Sequence, residues 1–181
     1  MKKITTILMI TVIALAALPG MAQQKRLSPH ETISANFSGD RITLTYGRPY
    51  TTKPGTTEAR KIWGSLVPFG EPWRLGADEA TLLIVQKPIE LGGKTIPAGA
   101  YTLYMVPQES GASQLAISTR LGGWGIPVDT ADDLARVDLT KTTLDKPVDE
   151  FTMTIAKNSS GGELRMMWED TQFSVPFTIV K

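Results

Sequence analysis

The residues best suited to chemistry are concentrated between Tyr46 and Thr81, a segment rich in arginine, tryptophan, acidic residues and glycine. A planar guanidinium binds carboxylates or phosphates through paired hydrogen bonds, so Arg48 and Arg74 on neighbouring loops could clamp an anionic ligand. Alternatively, both arginines could pair with Asp78 and Glu79 inside the fold, because a partly buried arginine needs such partners. The spacing favours structural pairing and leaves ligand binding open.

Asp78 and Glu79 also raise the question of acid–base catalysis. Paired carboxylates hydrolyse glycosides when they face each other across the bond at about 5–9 Å. Adjacent residues on a strand point to opposite faces, so we expect these two side chains to face apart. Each would then need a distant partner such as Glu71, Glu169 or Asp170. A carboxylate-dependent hydrolase acting on envelope or extracellular carbohydrate is therefore the alternative prediction.

The chain has few residues of the types that metal sites and thiol chemistry need. His30 is the only histidine and there is no cysteine. Metal sites with several nitrogen ligands are thus excluded, as are thiolate sites and disulfides. We expect His30 to be a loosely held surface residue near the start of the mature chain. The prediction is no catalytic residue, no metal and no cofactor.

The four tryptophans could stack on sugar rings, because an indole face offers a large rigid apolar area. Trp168 lies in a regular alternation and is predicted to be core. Trp73 and Trp63 are also expected to pack inside, with Trp73 closing one end of the fold. Trp124 lies among glycines on a loop and is the best candidate for exposure. The candidate ligand-binding residues are Arg48, Arg74, Asp78, Glu79, Trp73 and Trp124.

The elements that must position these residues are strands. Apolar residues alternate with polar ones in residues 41–46, 151–155, 164–168 and 173–179, which is typical of strands with one buried face. Glycine-containing turns separate about nine candidate strands. We predict an all-β fold, a single antiparallel β-sandwich that is jelly-roll-like or Ig-like. Residues 81–85 are apolar on both faces and suggest a central strand covered on each side.

Helical signals are few. Residues 57–64 could form two turns with Thr57 as the cap and Gly64 as the stop. Residues 128–136 could form a short helix entered at Asp129 or Thr130. One or two short helical excursions on a β scaffold are therefore expected, in one domain spanning residues 23–181.

The first residues resemble an export signal. Lys2 and Lys3 precede an apolar run and the small residues of Gly20-Met21-Ala22, so residues 1–22 are predicted to be a signal peptide cleaved before Gln23. The run is shorter than the roughly 20 residues that span a bilayer, and no membrane span is expected in the mature protein. Removing two lysines from 19 basic residues leaves 17 against 18 acidic ones. Such a near-neutral chain has no long-range field to hold a polyphosphate, so no nucleic-acid partner is expected. We expect a periplasmic or extracellular location.

Four motifs follow one another along the chain: Tyr46-Gly47-Arg48-Pro49, Arg60-Lys61-Ile62-Trp63-Gly64, the block from Trp73 to Thr81, and Pro97-Ala98-Gly99-Ala100-Tyr101-Thr102-Leu103. They resemble the motifs of a bacterial family known as domain of unknown function 2911. The resemblance extends over nearly the whole mature chain and implies a compact secreted β domain with no assigned activity. Asp78 stands where the family pattern more often has asparagine.

The expected function is a non-catalytic ligand-binding or interaction module. Its ligand surface would be the loop from Arg48 to Asp78, with Trp124 as a possible addition. The partner would be a small molecule, a glycan or an envelope protein. A third hypothesis is a structural envelope protein that works through sheet edges or an apolar patch.

Overall fold

Strands make up most of the structure, a computed structural model that describes residues 26–37 and 39–180. The predicted signal peptide, residues 1–22, lies outside the described residues. In the described part, no helix has the length and apolar character needed to cross a membrane. The strands are β1 (His30–Phe37), β2 (Asp40–Gly47), β3 (Thr81–Val85), β4 (Ile89–Leu91), β5 (Lys94–Ile96), β6 (Gly99–Val106), β7 (Ser113–Ser118), β8 (Asp133–Lys157) and β9 (Gly162–Ile179).

The nine strands form one continuous antiparallel sheet in the order β1-β2-β3-β6-β7-β8-β9-β4-β5. The 25-residue β8 joins its two halves, because residues 133–139 pair with β7 whereas residues 140–157 pair with β9. The predicted all-β class is confirmed. The two separate sheets of a sandwich are not confirmed, since β8 belongs to both halves.

The sheet folds back on itself around a shared apolar core. On β2, the hydroxyl of Tyr46 accepts a hydrogen bond from the backbone N–H of Met153 on β8, at 2.9 Å. Tyr50 forms an isolated antiparallel bridge with Glu150. One cluster of buried residues takes side chains from β1 to β9. Packing of these side chains, with no cysteine available, holds the fold together.

Burial follows the predicted alternation closely in β2, where Ile42, Leu44 and Tyr46 are at most 1% exposed. In β3 the prediction of cover on both faces is wrong. Leu83 and Val85 are buried, but Leu82 is only partly buried and Ile84 is 38% exposed. The strand is central in the order of the sheet, yet its second face meets solvent.

The predicted helix over residues 57–64 is wrong. Here the chain makes a turn closed by a bridge between Thr52 and Ala59, and Ile62 and Val67 then enter the core. A helix would compete with this cross-chain pairing. The second predicted helix shrinks to one 3-10 turn, Thr130–Asp132, because the residues that follow it pair with β7. Its predicted entry is correct, since the Asp129 carboxylate accepts a hydrogen bond from the N–H of Ala131.

Candidate functional site

The segment that follows β2 is an irregular loop docked against the end of that strand. Backbone pairing between Trp73 and Met105 anchors its middle, with N···O distances of 2.7 and 2.8 Å. The Thr81 hydroxyl donates to the carbonyl of Leu75 at 2.7 Å. Leu75 and Asp78 both adopt positive φ, at 58° and 63°. The loop thus has a defined conformation although it has no regular secondary structure.

Gly47 allows this docking. A Cβ atom at Gly47 would lie 2.1 Å from the carbonyl oxygen of Ala77, far inside van der Waals contact. The N–H of Ala77 in turn donates to the carbonyl of Gly47 at 3.3 Å. The glycine of the Tyr-Gly-Arg-Pro motif therefore lets the block from Trp73 to Thr81, termed the Trp-Arg motif below, lie directly on β2.

Arg48, directly after β2, contacts both β1 and β8. Its guanidinium lies 3.4 Å from a carboxylate oxygen of Glu31 and 3.1 Å from one of Glu150. It also donates to the carbonyl of Phe151 and the hydroxyl of Thr152 on β8. The expectation of structural pairing is met, but the predicted partners, the two acids of the Trp-Arg motif, are wrong. Arg48 is a brace whose hydrogen-bonding capacity is largely used within the fold.

Arg74 has a different environment. One nitrogen donates to the backbone carbonyls of Asp78 and Trp124, at 2.8 and 3.2 Å. The guanidinium carbon lies 5.3 Å from the centre of the Trp124 ring, a cation–π contact. Burial lowers the pKa of Arg74, an effect that the charge of Asp78 partly opposes. The predicted pairing with the Asp78 and Glu79 carboxylates is wrong, because Arg74 forms no salt bridge with any described residue.

Asp78 and Glu79 point to the same side, contrary to prediction. Nε2 of His30 lies 3.1 Å from Asp78 Oδ2 and 3.4 Å from Glu79 Oε2. The guanidinium of Arg26 donates hydrogen bonds to both carboxylate oxygens of Glu79, each at 2.5 Å. The prediction assumed a strand, but β3 begins only at Thr81 and Asp78 has positive φ. These residues, Arg26, His30, Asp78 and Glu79, are termed the His30 cluster below.

The His30 cluster was missed by sequence reasoning because its two halves are 48 residues apart in the chain. His30 is the first residue of β1, which pairs with β2, and the loop before β3 docks on the end of β2. His30 is exposed as predicted, but it is in contact with both acids of the Trp-Arg motif. Only knowledge that β1 pairs with β2 could have indicated the contact between His30 and these two acids.

Three tryptophans form an internal aromatic cluster with Phe151 and Phe173. Trp73 stacks on Trp168 with ring centres 5.7 Å apart, and Trp63 meets both edge-on. Trp168 is 1% exposed, which confirms its predicted core position. Trp124 is 55% exposed, which confirms its predicted exposure.

A cleft of about 360 Å³ opens beside this cluster. We term it the arginine cleft and define it by six lining residues: Tyr50, Arg60, Glu71, Trp73, Arg74 and Trp168. Arg60 donates from one terminal nitrogen to the carbonyl of Tyr50, whereas its buried Nε has no partner among the described residues. The same holds for the buried indole N–H of Trp168. Burial lowers the pKa of Arg60.

Sequence reasoning selected Arg74 and Trp73 for this site but did not select Arg60, Tyr50 or Trp168. Arg60 lies in a motif that was recognised, yet nothing in the local sequence shows which way it faces. Of the other predicted ligand-binding residues, Asp78 and Glu79 belong to the His30 cluster, and Arg48 to the brace.

A second cavity, of about 350 Å³, lies under the loop that carries Trp124. Tyr104 forms its floor and is buried, with its hydroxyl 2.6 Å from both Asp133 Oδ2 and an Arg136 nitrogen. Burial and the hydrogen bond to Asp133 raise the pKa of Tyr104 to about 12. Trp124 and Arg120 stand at the rim of this cavity and are exposed.

Comparison with known proteins gives one match. A protein-family model described as "Protein of unknown function (DUF2911)" matches residues 28–177, which contain the whole arginine cleft and all of the His30 cluster except Arg26. No curated protein and no solved structure matches the chain. The family match covers most of the sequence and confirms the resemblance indicated by the motifs. The chain therefore belongs to the DUF2911 family of proteins of unknown function.

Proposed function

We propose that this protein is an exported, non-catalytic binding module that holds a small anionic ligand in the arginine cleft. One observation carries the proposal. Arg60 and Arg74 line the same cleft, both are partly buried, and neither forms a salt bridge with a described residue. Burying a cation without a counter-charge is costly, and an anion in the cleft would supply that charge.

The polar groups at the cleft are mainly hydrogen-bond donors. Guanidinium and indole nitrogens donate and cannot accept, and Arg60 Nε and Trp168 Nε1 have no acceptor in the part of the chain that the structure describes. The one carboxylate among the lining residues is Glu71, which is exposed. A ligand rich in acceptor oxygens, above all a carboxylate, complements this set.

Size and shape restrict the ligand further. A cleft of about 360 Å³ lies near the lower end of the ~300–1,000 Å³ typical of ligand pockets. Tyr50 and Trp73 add aromatic surface on which a sugar ring could pack. An acidic sugar of one or two rings combines the required charge, oxygen atoms and flat apolar face.

An exported chain would meet such a ligand, since envelope and extracellular glycans contain acidic sugars. We propose that residues 1–22 direct the chain out of the cytoplasm. Cell fractionation followed by N-terminal sequencing tests this step. A product in the periplasm or medium that begins at Gln23 supports it, and an intact cytoplasmic chain would contradict it.

Binding is tested by ligand-observed NMR with glucuronic acid as the probe and glucose as its neutral counterpart. We expect glucuronic acid to bind more tightly than glucose. Arg60→Gln and Arg74→Gln should each weaken glucuronic acid about tenfold or more, because each removes a charge-assisted hydrogen bond. Glu71→Gln should strengthen it, since a repelling charge is lost.

Arg41→Gln is the matched control, because Arg41 is exposed and does not line the cleft. Thermal melting shows whether each variant is folded. Equal affinity for the acidic and neutral sugars, or equal loss in Arg41→Gln and Arg74→Gln, would refute the anion site.

The alternative function, a carboxylate-dependent hydrolase, is favoured by a single observation at another place. Burial and the neighbouring Asp170 raise the pKa of Glu169, as a general acid requires, and both residues line a shallow depression with Asp149. Release of reducing ends from cell-wall polysaccharide, lost in Glu169→Gln, would support hydrolysis. A wild-type protein that releases none would leave binding as the function.

A further inference from the structure

We infer that His30, Asp78 and Glu79 form a binding site for a divalent transition-metal ion, with Zn²⁺ as the representative, and that Arg26 competes with the ion. This site is separate from the arginine cleft and does not depend on the ligand proposed there. The inference rests on the geometry of three donor atoms and on the chemistry of the groups around Nε2 of His30.

The donor atoms already have the spacing of ligands around one ion. One atom from each of the three residues lies within 4.8 Å of the other two. The two separations from Nε2 to the carboxylates are 3.1 and 3.4 Å. Tetrahedral ligands at zinc bond lengths of about 2.0–2.2 Å are roughly 3.4 Å apart. Small side-chain movements would suffice to enclose an ion.

Arg26 marks the position that an ion would take. One terminal nitrogen of its guanidinium lies 2.7 Å from Nε2 and 2.9 Å from Nδ1 of His30, and it also donates to Glu79 Oε2 at 2.5 Å. A cation is thus already held between the imidazole and the carboxylates, where a metal ion would accept a lone pair from each of the three residues.

The loop holds the two carboxylates in place before an ion arrives. Positive φ at Asp78 turns its side chain to the same side as that of Glu79. The Arg74 guanidinium donates a hydrogen bond to the Asp78 carbonyl at 2.8 Å, and the Thr81 hydroxyl donates one to the Leu75 carbonyl. His30 is fixed at the start of β1. Ligands that are ordered in advance lose little freedom on binding.

Arg26 occupies the position of positive charge in the metal-free protein. Its side chain is 42% exposed and comes from the segment before β1. An exposed ion pair is weak and can be exchanged for a metal–carboxylate bond. The contact between Arg26 and Glu79 and the binding of the ion are therefore mutually exclusive.

One imidazole and two carboxylates suit ions of intermediate hardness, and among these Zn²⁺ binds strongly. Three protein ligands leave at least one coordination position open. The site could therefore accept water or an oxygen atom of a larger ligand, which distinguishes it from a closed structural site.

The test is a titration of the purified protein, free of any histidine tag, with ZnCl₂. Because His30 is the only histidine, its imidazole protons give an unambiguous NMR signal. We expect that signal to shift or broaden on addition of Zn²⁺ and to recover with EDTA. Calorimetry on the same samples gives the affinity.

Variants distinguish a three-ligand site from chance binding. His30→Gln and Asp78→Asn should each weaken Zn²⁺ at least tenfold. Arg26→Gln should strengthen it, because the competing cation is gone. Glu163→Gln is the control, since Glu163 forms a similar ion pair with Arg165 elsewhere and should leave affinity unchanged.

Three outcomes would overturn the inference: no change in the His30 signal at millimolar Zn²⁺, unchanged affinity in Asp78→Asn, or weaker binding in Arg26→Gln. Melting curves without metal show that each variant is folded. Sugar binding to the arginine cleft is measured separately, so a failure of either proposal can be told from a failure of the other.

Discussion

Arg48→Met should destabilise the protein more than the loss of any other single arginine contact described above. Methionine keeps most of the apolar stem, so the change isolates the guanidinium. That group forms ion pairs with Glu31 and Glu150 and two hydrogen bonds with β8. Its removal leaves Glu150 and the carbonyl of Phe151 without this donor, whereas Glu31 keeps the hydrogen bond from the Tyr46 hydroxyl.

The size of the effect follows from burial. Breaking a buried pair costs about 3–5 kcal/mol, and a side chain that is 22% exposed belongs at the low end of this range. We therefore expect a loss of about 3 kcal/mol in the free energy of unfolding. In a domain of this size each kcal/mol corresponds to about 2–4 °C, so the melting temperature should fall by about 6–12 °C.

Urea unfolding followed by tryptophan fluorescence measures this loss. Arg165→Met is the matched control, because the Arg165–Glu163 pair is shorter, at 2.6 Å, but its arginine side chain is 43% exposed. Exposed pairs contribute about 0–1 kcal/mol. A double-mutant cycle of Arg48→Met with Glu150→Gln should give a coupling energy of at least about 1 kcal/mol. Equal losses in the two arginine variants, or no coupling, would refute the brace.

Three further changes probe other parts of the structure. Gly47→Ala should lower the free energy of unfolding, measured in urea, by about 3 kcal/mol or more, because its Cβ would lie 2.1 Å from the Ala77 carbonyl oxygen. Gly123→Ala is the control and should have little effect, because the nearest atom to its Cβ would be 3.8 Å away. The pKa of Tyr104 is raised to about 12 in the folded protein, so the unfolded state loses the hydroxyl proton first as pH rises. The free energy of unfolding should therefore fall between about pH 10 and pH 12. Tyr104→Phe should flatten this dependence on pH. Trp124→Ala should change stability by less than about 1 kcal/mol, as expected for a 55% exposed ring with one cation–π contact.

The strands could be predicted because the sequence repeats at the period of the pleat. Ile42, Leu44 and Tyr46 face the core as expected. In β9 the alternation changes phase between Trp168 and Phe173, both buried. Glu169 adopts positive φ there, where the register with β8 also shifts. A bulge of this kind is set by the partner strand, so the local sequence does not reveal that one long strand spans both runs.

The partners of the charged residues could not be predicted, because they depend on how distant strands meet. Two acids, Asp78 and Glu79, follow Arg48 within the same motif-rich segment, yet Arg48 pairs with Glu31 and Glu150. The first lies across the β1–β2 hairpin, and the second is brought in by the folding of β8 over the core. Proximity in sequence is a poor guide to ion pairs when the intervening chain is a loop.

In the loop before β3, the alternation rule for strands predicts the wrong orientation of Asp78 and Glu79. Asp78 adopts a left-handed conformation at φ 63°, which asparagine and aspartate tolerate better than most residues. Asparagine, which is more common at this position in the family pattern, thus satisfies the backbone conformation without adding a charge. Aspartate meets the same requirement and adds a charge beside Glu79 and His30. Local consistency is usually relaxed at functional positions, and a second carboxylate at this place is what the proposed ion site requires.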